Sequence, residues 1–193
     1  MSSSEPALLV IDVQKGIDNP RHGKRNNPQA EQRIAELLQA WRSSGWPVIH
    51  VQHMSTEPDS LLRPGLPGNA IKEEALPIDG EPIFQKNVSS AFIGTQLESY
   101  LRLSGIESLV VVGLTTEHCV SSSARQAANL GFKVTVVADA TATFERKGYD
   151  GKHYSADTIH GAELASLVDE FAMVRESRDV LAEVGEAAPI SLP

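Results

Sequence analysis

Residues 109–140, LVVVGLTTEHCVSSSARQAANLGFKVTVVADA, read as strand, sharp turn, helix, strand. A unit of this kind restricts the fold more than anything else in the chain. Strands alternating with helices build a parallel sheet with helices packed on its faces. Residues 109–113 and 133–138 are apolar runs of strand length. Between them, Val120, Ala124, Ala127 and Ala128 give a helix an apolar face of small residues, suited to close packing on a sheet. Gly131 ends that helix. The only cysteine of the chain, Cys119, falls where the helix begins. A thiol placed there meets free backbone N–H groups and the positive end of the helix dipole, which lower its pKa.

The same alternation continues on both sides. Residues 7–13 (ALLVIDV) form a continuous apolar run, the pattern of a strand buried on both faces, with Asp12 at its C-terminal end. Residues 17–27 read as a loop. Asn27-Pro28 reads as an N-cap followed by proline at the first helical position, and Ile34, Leu37, Leu38 and Trp41 then share one helical face. Gly45 stops this helix, and a second strand spans 48–52. From 55 to 82 the periodicity is lost among Pro58, Pro64, Pro67, Pro77 and Pro82, an excursion of the kind that serves as a lid or a subunit contact. A short third strand at 83–85 ends at Lys86, and a helix follows over 94–103. After the fifth strand, residues 141–154 are irregular. Asp157 can cap a helix with Leu164, Leu167 and Val168 inward, and 171–175 make a weak sixth strand. A short helix near Val180 and a proline-ended tail finish the chain. One α/β domain over 1–193 is expected, a three-layer αβα, Rossmann-like fold with a mostly parallel sheet of about six strands.

In such sheets ligands bind beyond the C-terminal strand edge. Asp12, Lys86 and Cys119 each stand at or just past the end of a strand, the first, third and fourth. An acid, a base and a thiol therefore share one edge. Asp12, ending an apolar run, is expected to be buried with its pKa raised, which suits a base that takes and returns a thiol proton. Read singly, Lys86 is a solvated strand-end lysine and Cys119 a small buried hydrophobe; their convergence points to chemistry.

The histidines fit less well. Neighbouring helical residues do not face each other, so His118 is a poor base for Cys119. His50 and His53, three apart on a strand, point to opposite faces and make no metal pair. His153 and His160 read as surface residues, although either can line a pocket. No Cys/His cluster or HExxH is present, so no metal is expected. Neither GxGxxG after the first strand nor GxxxxGK[ST] is present, so no nucleotide cofactor is expected. A formal net charge of -8 argues against nucleic acid and anionic membrane as partners. The N-terminus, a short tail entering a strand, lacks the basic region and long apolar run of a signal or membrane segment. One cysteine excludes an internal disulfide and fits a reducing, cytoplasmic setting.

Three separated segments, LLVIDVQKG, FQKNVSSAFIGTQLESYLR and VVVGLTTEHCVSSSARQAANLGFKVTVVADATATF, resemble the isochorismatase-like cysteine hydrolases. That group includes nicotinamidases, N-carbamoylsarcosine amidohydrolase and streptothricin hydrolase-like enzymes. HMSTEPDSLLRPG and HYSADTIHGAELASL look like the same family. The resemblance implies an Asp–Lys–Cys triad of Asp12, Lys86 and Cys119. It also implies a cis peptide at Leu114–Thr115 and an oxyanion hole from the N–H groups of Thr115 and Cys119. Nicotinamidases bind a metal through an Asp and two histidines after the second strand. Here that segment has Asp59 and no histidine, which disfavours both nicotinamidase and a metal requirement.

Retention of Cys119 favours C–N hydrolysis of a small amide, ureido compound or lactam over cleavage of the isochorismate vinyl ether. A non-catalytic small-molecule binder on the same fold is the further alternative. Gln14, Asn87, Phe92, His118 and Thr143 are the substrate-binding candidates, with Met54 and Arg63 beside them. Family resemblance also implies a homo-oligomer, dimer or tetramer.

Overall fold

The computed structural model describes residues 5–187, with the side chain of Ala187 left out; the N-terminal tail and the proline-ended tail lie outside the described residues. Six strands form one sheet in the order β3-β2-β1-β4-β5-β8, and every pairing in it is parallel. They are β1 (Ala7–Ile11), β2 (Val48–His53), β3 (Ile83–Lys86), β4 (Ser108–Leu114), β5 (Lys133–Ala142) and β8 (Met173–Arg175). A small antiparallel hairpin, β6 (Arg146–Lys147) with β7 (His153–Tyr154), stands apart from this sheet.

The layers follow from the direction in which the chain moves across the sheet. Parallel crossovers are right-handed, so steps toward β3 place their helix on one face and steps toward β8 place theirs on the other. The helix α1 (Ala30–Ser44) joins β1 to β2 and packs with α5 (Ser177–Ala187) on one face, burying Ile34, Leu37, Leu38, Trp41, Val180 and Val184 against Leu8, Val10 and Val110. The helices α2 (Leu97–Leu103), α3 (Ser121–Asn129) and α4 (Ala156–Leu167) cover the opposite face, where Leu97, Leu101, Ala124, Ala127 and Leu167 meet Leu9, Ile11 and Val111. Strand β1 thus feeds both cores in alternation and is buried along its whole length. This is why its sequence is apolar without a break.

Several local readings change. Helix α1 begins at Ala30, not after an Asn27 cap, because Asn27 lies at a φ of 40° and its amide is spent on the carbonyls of Ala138 and Thr141. Two short 3₁₀ turns, Lys15–Asp18 and Pro20–His22, occupy the start of the expected 17–27 loop and the two residues before it. Strand β5 runs on to Ala142 across a register shift opposite Val111–Gly113. Ser155, not Asp157, caps α4 by accepting from the Thr158 N–H, and Val168 is exposed past the helix end. Among the described residues, no helix is long and apolar enough to cross a membrane.

Candidate active site

The sheet order reverses direction between β1 and β4, and the crevice above these strand ends is the candidate site. Gly113 makes the approach possible. It sits at a φ of 127°, and a Cβ there would come within 2.0 Å of the Ile11 carbonyl oxygen. Any side chain would push β4 away from the end of β1. Just beyond, the Leu114–Thr115 peptide is cis, and one wide, π-type turn (Thr116–Val120) carries the chain into α3.

Asp12 leaves β1 at a φ of 52°, a left-handed conformation that Asp tolerates better than most L-residues. Its carboxylate is buried and accepts from Lys86 Nζ through Oδ2 at 2.6 Å, with both side chains sealed from solvent. Lys86 Nζ also donates to His53 Nδ1 at 3.1 Å. That fixes the imidazole tautomer, because Nδ1 must be the acceptor and Nε2 is left to donate toward the Val88 carbonyl. The other oxygen of Asp12, Oδ1, is buried without a well-formed hydrogen bond. The Cys119 thiol is beside it: ligand-capable atoms of Asp12, His53 and Cys119 all lie within 4.8 Å of one another. Such a cluster has the spacing to hold a cation, and the Lys86 ammonium already takes lone pairs of Asp12 and His53.

Burial raises the Asp12 carboxyl above the usual range, and the Lys86 charge opposes this only in part. Burial also pushes the Cys119 thiol well up, the Asp12 charge adds to the shift, and Lys86 counters it. The expected helix-end lowering of the thiol is therefore overturned. Helix α3 starts at Ser121, so Cys119 sits within the wide turn rather than at the helix's first N–H groups. There, desolvation and the neighbouring carboxylate act on the thiol. His53 is held below the ordinary histidine range, first by burial and then by the Lys86 cation, so it is neutral at pH 7.

A cavity of about 280 Å³ opens over this floor. Asp12, Cys119, Thr115 and His118 line it, as do His53, Ser89 and Leu114; its walls are Ile17, His22, Leu62, Phe144 and Arg146. The remaining binding candidates lie elsewhere. Gln14 is fully buried beneath the site and exchanges hydrogen bonds with the His53 backbone at 2.9 and 3.0 Å. Phe92 belongs to the core, stacked on Phe132. Asn87 is exposed beyond β3. Thr143 is buried behind the cavity, with its N–H on Asn26 and its hydroxyl toward Glu117. Neither Met54 nor Arg63 lines the cavity; Arg63 is exposed and donates to Ser60 of its own loop.

His53 makes no metal pair with His50, yet it joins the floor of the site. The signal was available, because β2 lies between β1 and β3 and His53 ends it. His22 and Arg146 carried no such signal, since both come from segments with no periodicity. His160, expected at the surface, is half-buried behind the wide turn, bonded to the Thr116 hydroxyl at 2.9 Å, whereas His153 is exposed.

The isochorismatase domain family model matches residues 6–179. The chain is 48% identical over 168 residues to the isochorismatase family protein YrdC of Bacillus subtilis, spanning 87% of this chain and 90% of that protein. It is 34% identical over 224 aligned residues to the ureidoacrylate amidohydrolase RutB of Rhizobium rhizogenes, spanning 98% and 87%. A solved isochorismatase-family structure from Chromobacterium violaceum superposes with a TM-score of 0.92 at 47% identity, covering 96% of each chain.

Proposed function

The chain belongs to the isochorismatase family of hydrolases, and from that premise we propose that it hydrolyses a C–N bond of a small amide or ureido compound through a thioester on Cys119. The observation that carries this reading is the split state of Asp12. One carboxylate oxygen is pinned by Lys86, while the other is buried and free of a well-formed hydrogen bond, and the only thiol lies beside this carboxylate. We read that oxygen as the acceptor of the thiol proton. The relative RutB, named as an amidohydrolase, supports the C–N assignment.

In this mechanism the resting thiol is protonated. Substrate entry brings a carbonyl to Sγ, Asp12 Oδ1 takes the proton, and the S–C bond forms. Backbone N–H groups of Thr115 and Cys119 receive the developing oxyanion. Asp12 returns its proton to the leaving nitrogen as the C–N bond breaks, then deprotonates a water that attacks the thioester; the S–C bond breaks, the acid leaves, and Asp12 gives its proton back to Sγ. The raised pKa of Asp12 suits both directions of transfer. Lys86 holds the carboxylate in place, and His53 holds Lys86. Exposed Leu76, Ile78 and Ile83, next to or on the edge strand β3, support a homo-oligomer.

A screen of small amides, ureas and lactams, reading ammonia or acid release with Cys119→Ala as the blank, tests the mechanism. Loss of the nucleophile is expected to lower turnover by ~10⁴-fold or more. Wild-type turnover in Cys119→Ala would refute the thioester route, and isochorismate turnover in that variant would assign vinyl-ether cleavage instead.

A further inference from the structure

We propose that His160, on α4, is a positioning residue for the nucleophile turn: by accepting from the Thr116 hydroxyl it holds in place the segment whose Thr115 and Cys119 N–H groups receive the oxyanion. This rests on the thioester reading and adds to it a residue that touches neither substrate nor triad.

Thr116 opens the wide turn and directly follows Thr115. It is sealed from solvent, and its β-branched side chain is stiff, so an anchor on the hydroxyl also fixes the backbone. That anchor is His160 Nδ1, at 2.9 Å. The tautomer follows from the surroundings of the other ring nitrogen. Nε2 lies 3.5 Å from Asn27 Nδ2, which donates to the Ala138 carbonyl at 3.0 Å. The His160 ring bonds the same carbonyl, so Asn27 Nδ2 and His160 Nε2 converge as donors on one oxygen. Nε2 therefore carries the ring proton, and Nδ1 is the acceptor. Burial holds the ring below the ordinary histidine range against the opposing charges of Asp157 and Glu117, so it is neutral at pH 7 and Nδ1 keeps its lone pair.

The Ala138 carbonyl is open to side chains because the strand ladder breaks there. Between two paired positions β4 advances from Val111 to Gly113, while β5 advances from Val136 to Thr141. The extra residues of β5 bulge out, and the Ala138 carbonyl accepts from the Asn27 amide, the Thr141 hydroxyl and His160 instead of from β4. One helical turn beyond His160, on the same face of α4, Glu163 accepts from the hydroxyl of Ser121, the first residue of α3. Helix α4 thus grips the chain on both sides of Cys119, at Thr116 and at Ser121. The two grips differ in reach. Arg125 also bonds both Ser121 and Glu163, so that contact belongs to the packing of α3 on α4. The contact at Thr116 alone bears on the wide turn itself, next to the Thr115 N–H.

Because Cys119 is the only cysteine, its reactions read this site without a known substrate. Two probes separate the demands on it, p-nitrophenyl acetate and iodoacetamide. In the first reaction Sγ bonds to the carbonyl carbon, charge develops on the carbonyl oxygen, p-nitrophenolate leaves, and the thiol proton passes to Asp12 or to solvent. In the second Sγ bonds to the CH₂ carbon and iodide leaves, with the same fate for the proton and no oxyanion formed. The acylation-to-alkylation rate ratio, with Cys119→Ala as the blank, cancels the thiolate fraction and isolates oxyanion stabilisation. Removing an oxyanion donor costs ~10²–10³-fold, and a donor displaced rather than removed is expected to cost ~10-fold. Thr116→Val removes the hydroxyl at nearly constant volume, and His160→Gln carries an amide to the Nε2 position while leaving none at Nδ1. Each is expected to lower the ratio ~10-fold, and the double variant no further than either, because both break one bond. A ratio within about twofold of the wild type in either single variant, or losses that multiply in the double variant, overturns the role of His160 and leaves the hydrolase reading in place. A wild-type ratio no higher than that of N-acetylcysteine overturns the oxyanion hole, and the thioester reading and this role fall together.

Discussion

Replacing Gln14 by Leu separates a supporting role from a binding one. Gln14 is fully buried and makes three hydrogen bonds: from Nε2 to the carbonyls of His53 and Asn69, at 3.0 and 2.8 Å, and from the His53 N–H to Oε1, at 2.9 Å. The three are not equivalent. The His53 carbonyl also accepts from Asn69 Nδ2 at 2.8 Å, and the Asn69 carbonyl from Gln52 Nε2 at 3.0 Å, so both keep a partner. The His53 N–H keeps none. The Met54 N–H already turns toward β3, so the preceding N–H points to the other edge, where only Gln14 offers an acceptor. An orphaned buried donor costs ~1–3 kcal/mol, and the two other lost bonds ~0.5–1.5 kcal/mol each, less what the apolar Leu side chain regains on burial. A net loss of about 2–4 kcal/mol follows. With a urea dependence of ~2 kcal/mol per molar, the unfolding midpoint should fall by about 1–2 M. Equilibrium urea unfolding followed by far-UV circular dichroism reads it. A drop below ~0.3 M would show that Gln14 supports nothing beneath the site, and a substrate contact would become the better account of its burial.

Two further outcomes follow from the charged groups. The rate of Cys119 alkylation by iodoacetamide is expected to keep rising past pH 9, because burial and the Asp12 carboxylate both push the thiol up; a rise centred near 8.5, the free-thiol value, contradicts that upward shift. On the α1 side, burial works against ionisation of Glu31, but Arg25 and Lys72 outweigh it and hold the carboxyl at about 2. A lowered folded-state pKa contributes stability above the unfolded value, near 4.5, and that stability is lost as pH falls toward 2. Lys72→Met should therefore lie further below the wild type in urea midpoint at pH 6 than at pH 2.5, and an equal gap at both refutes the linkage.

The floor of the site was legible in the chain because strand ends are legible. Apolar runs mark the strands, a parallel sheet orders their ends along one edge, and Asp12, Lys86 and Cys119 follow. His53 obeys the same rule. The walls were not legible. Phe144 and Arg146 come from a stretch without periodicity, whose path depends on a register shift in β5 and an isolated bridge from Phe144 to Arg25. The ionisation of Cys119 is hidden from the sequence for a related reason. Sequence marks a helix start only to within a turn, and here one wide turn carries Cys119 ahead of the first N–H groups of α3.

The reversal of sheet order between β1 and β4 also bears on how such a protein diverges. The candidate triad is held at or just past strand ends that both cores bury, so altering it disturbs the sheet. The wall residues come from connecting segments; Ile17, Leu62 and Phe144 also pack on Leu114 and Ala142 at the strand ends, whereas His22 and Arg146 stand outside the cores. Selection can rewrite those two positions one at a time, leaving the shared floor and its stability in place. A new substrate is then a problem of loop inheritance rather than of refolding. Sequence comparison within such a lineage should track ancestry along the strands and ligand along the loops.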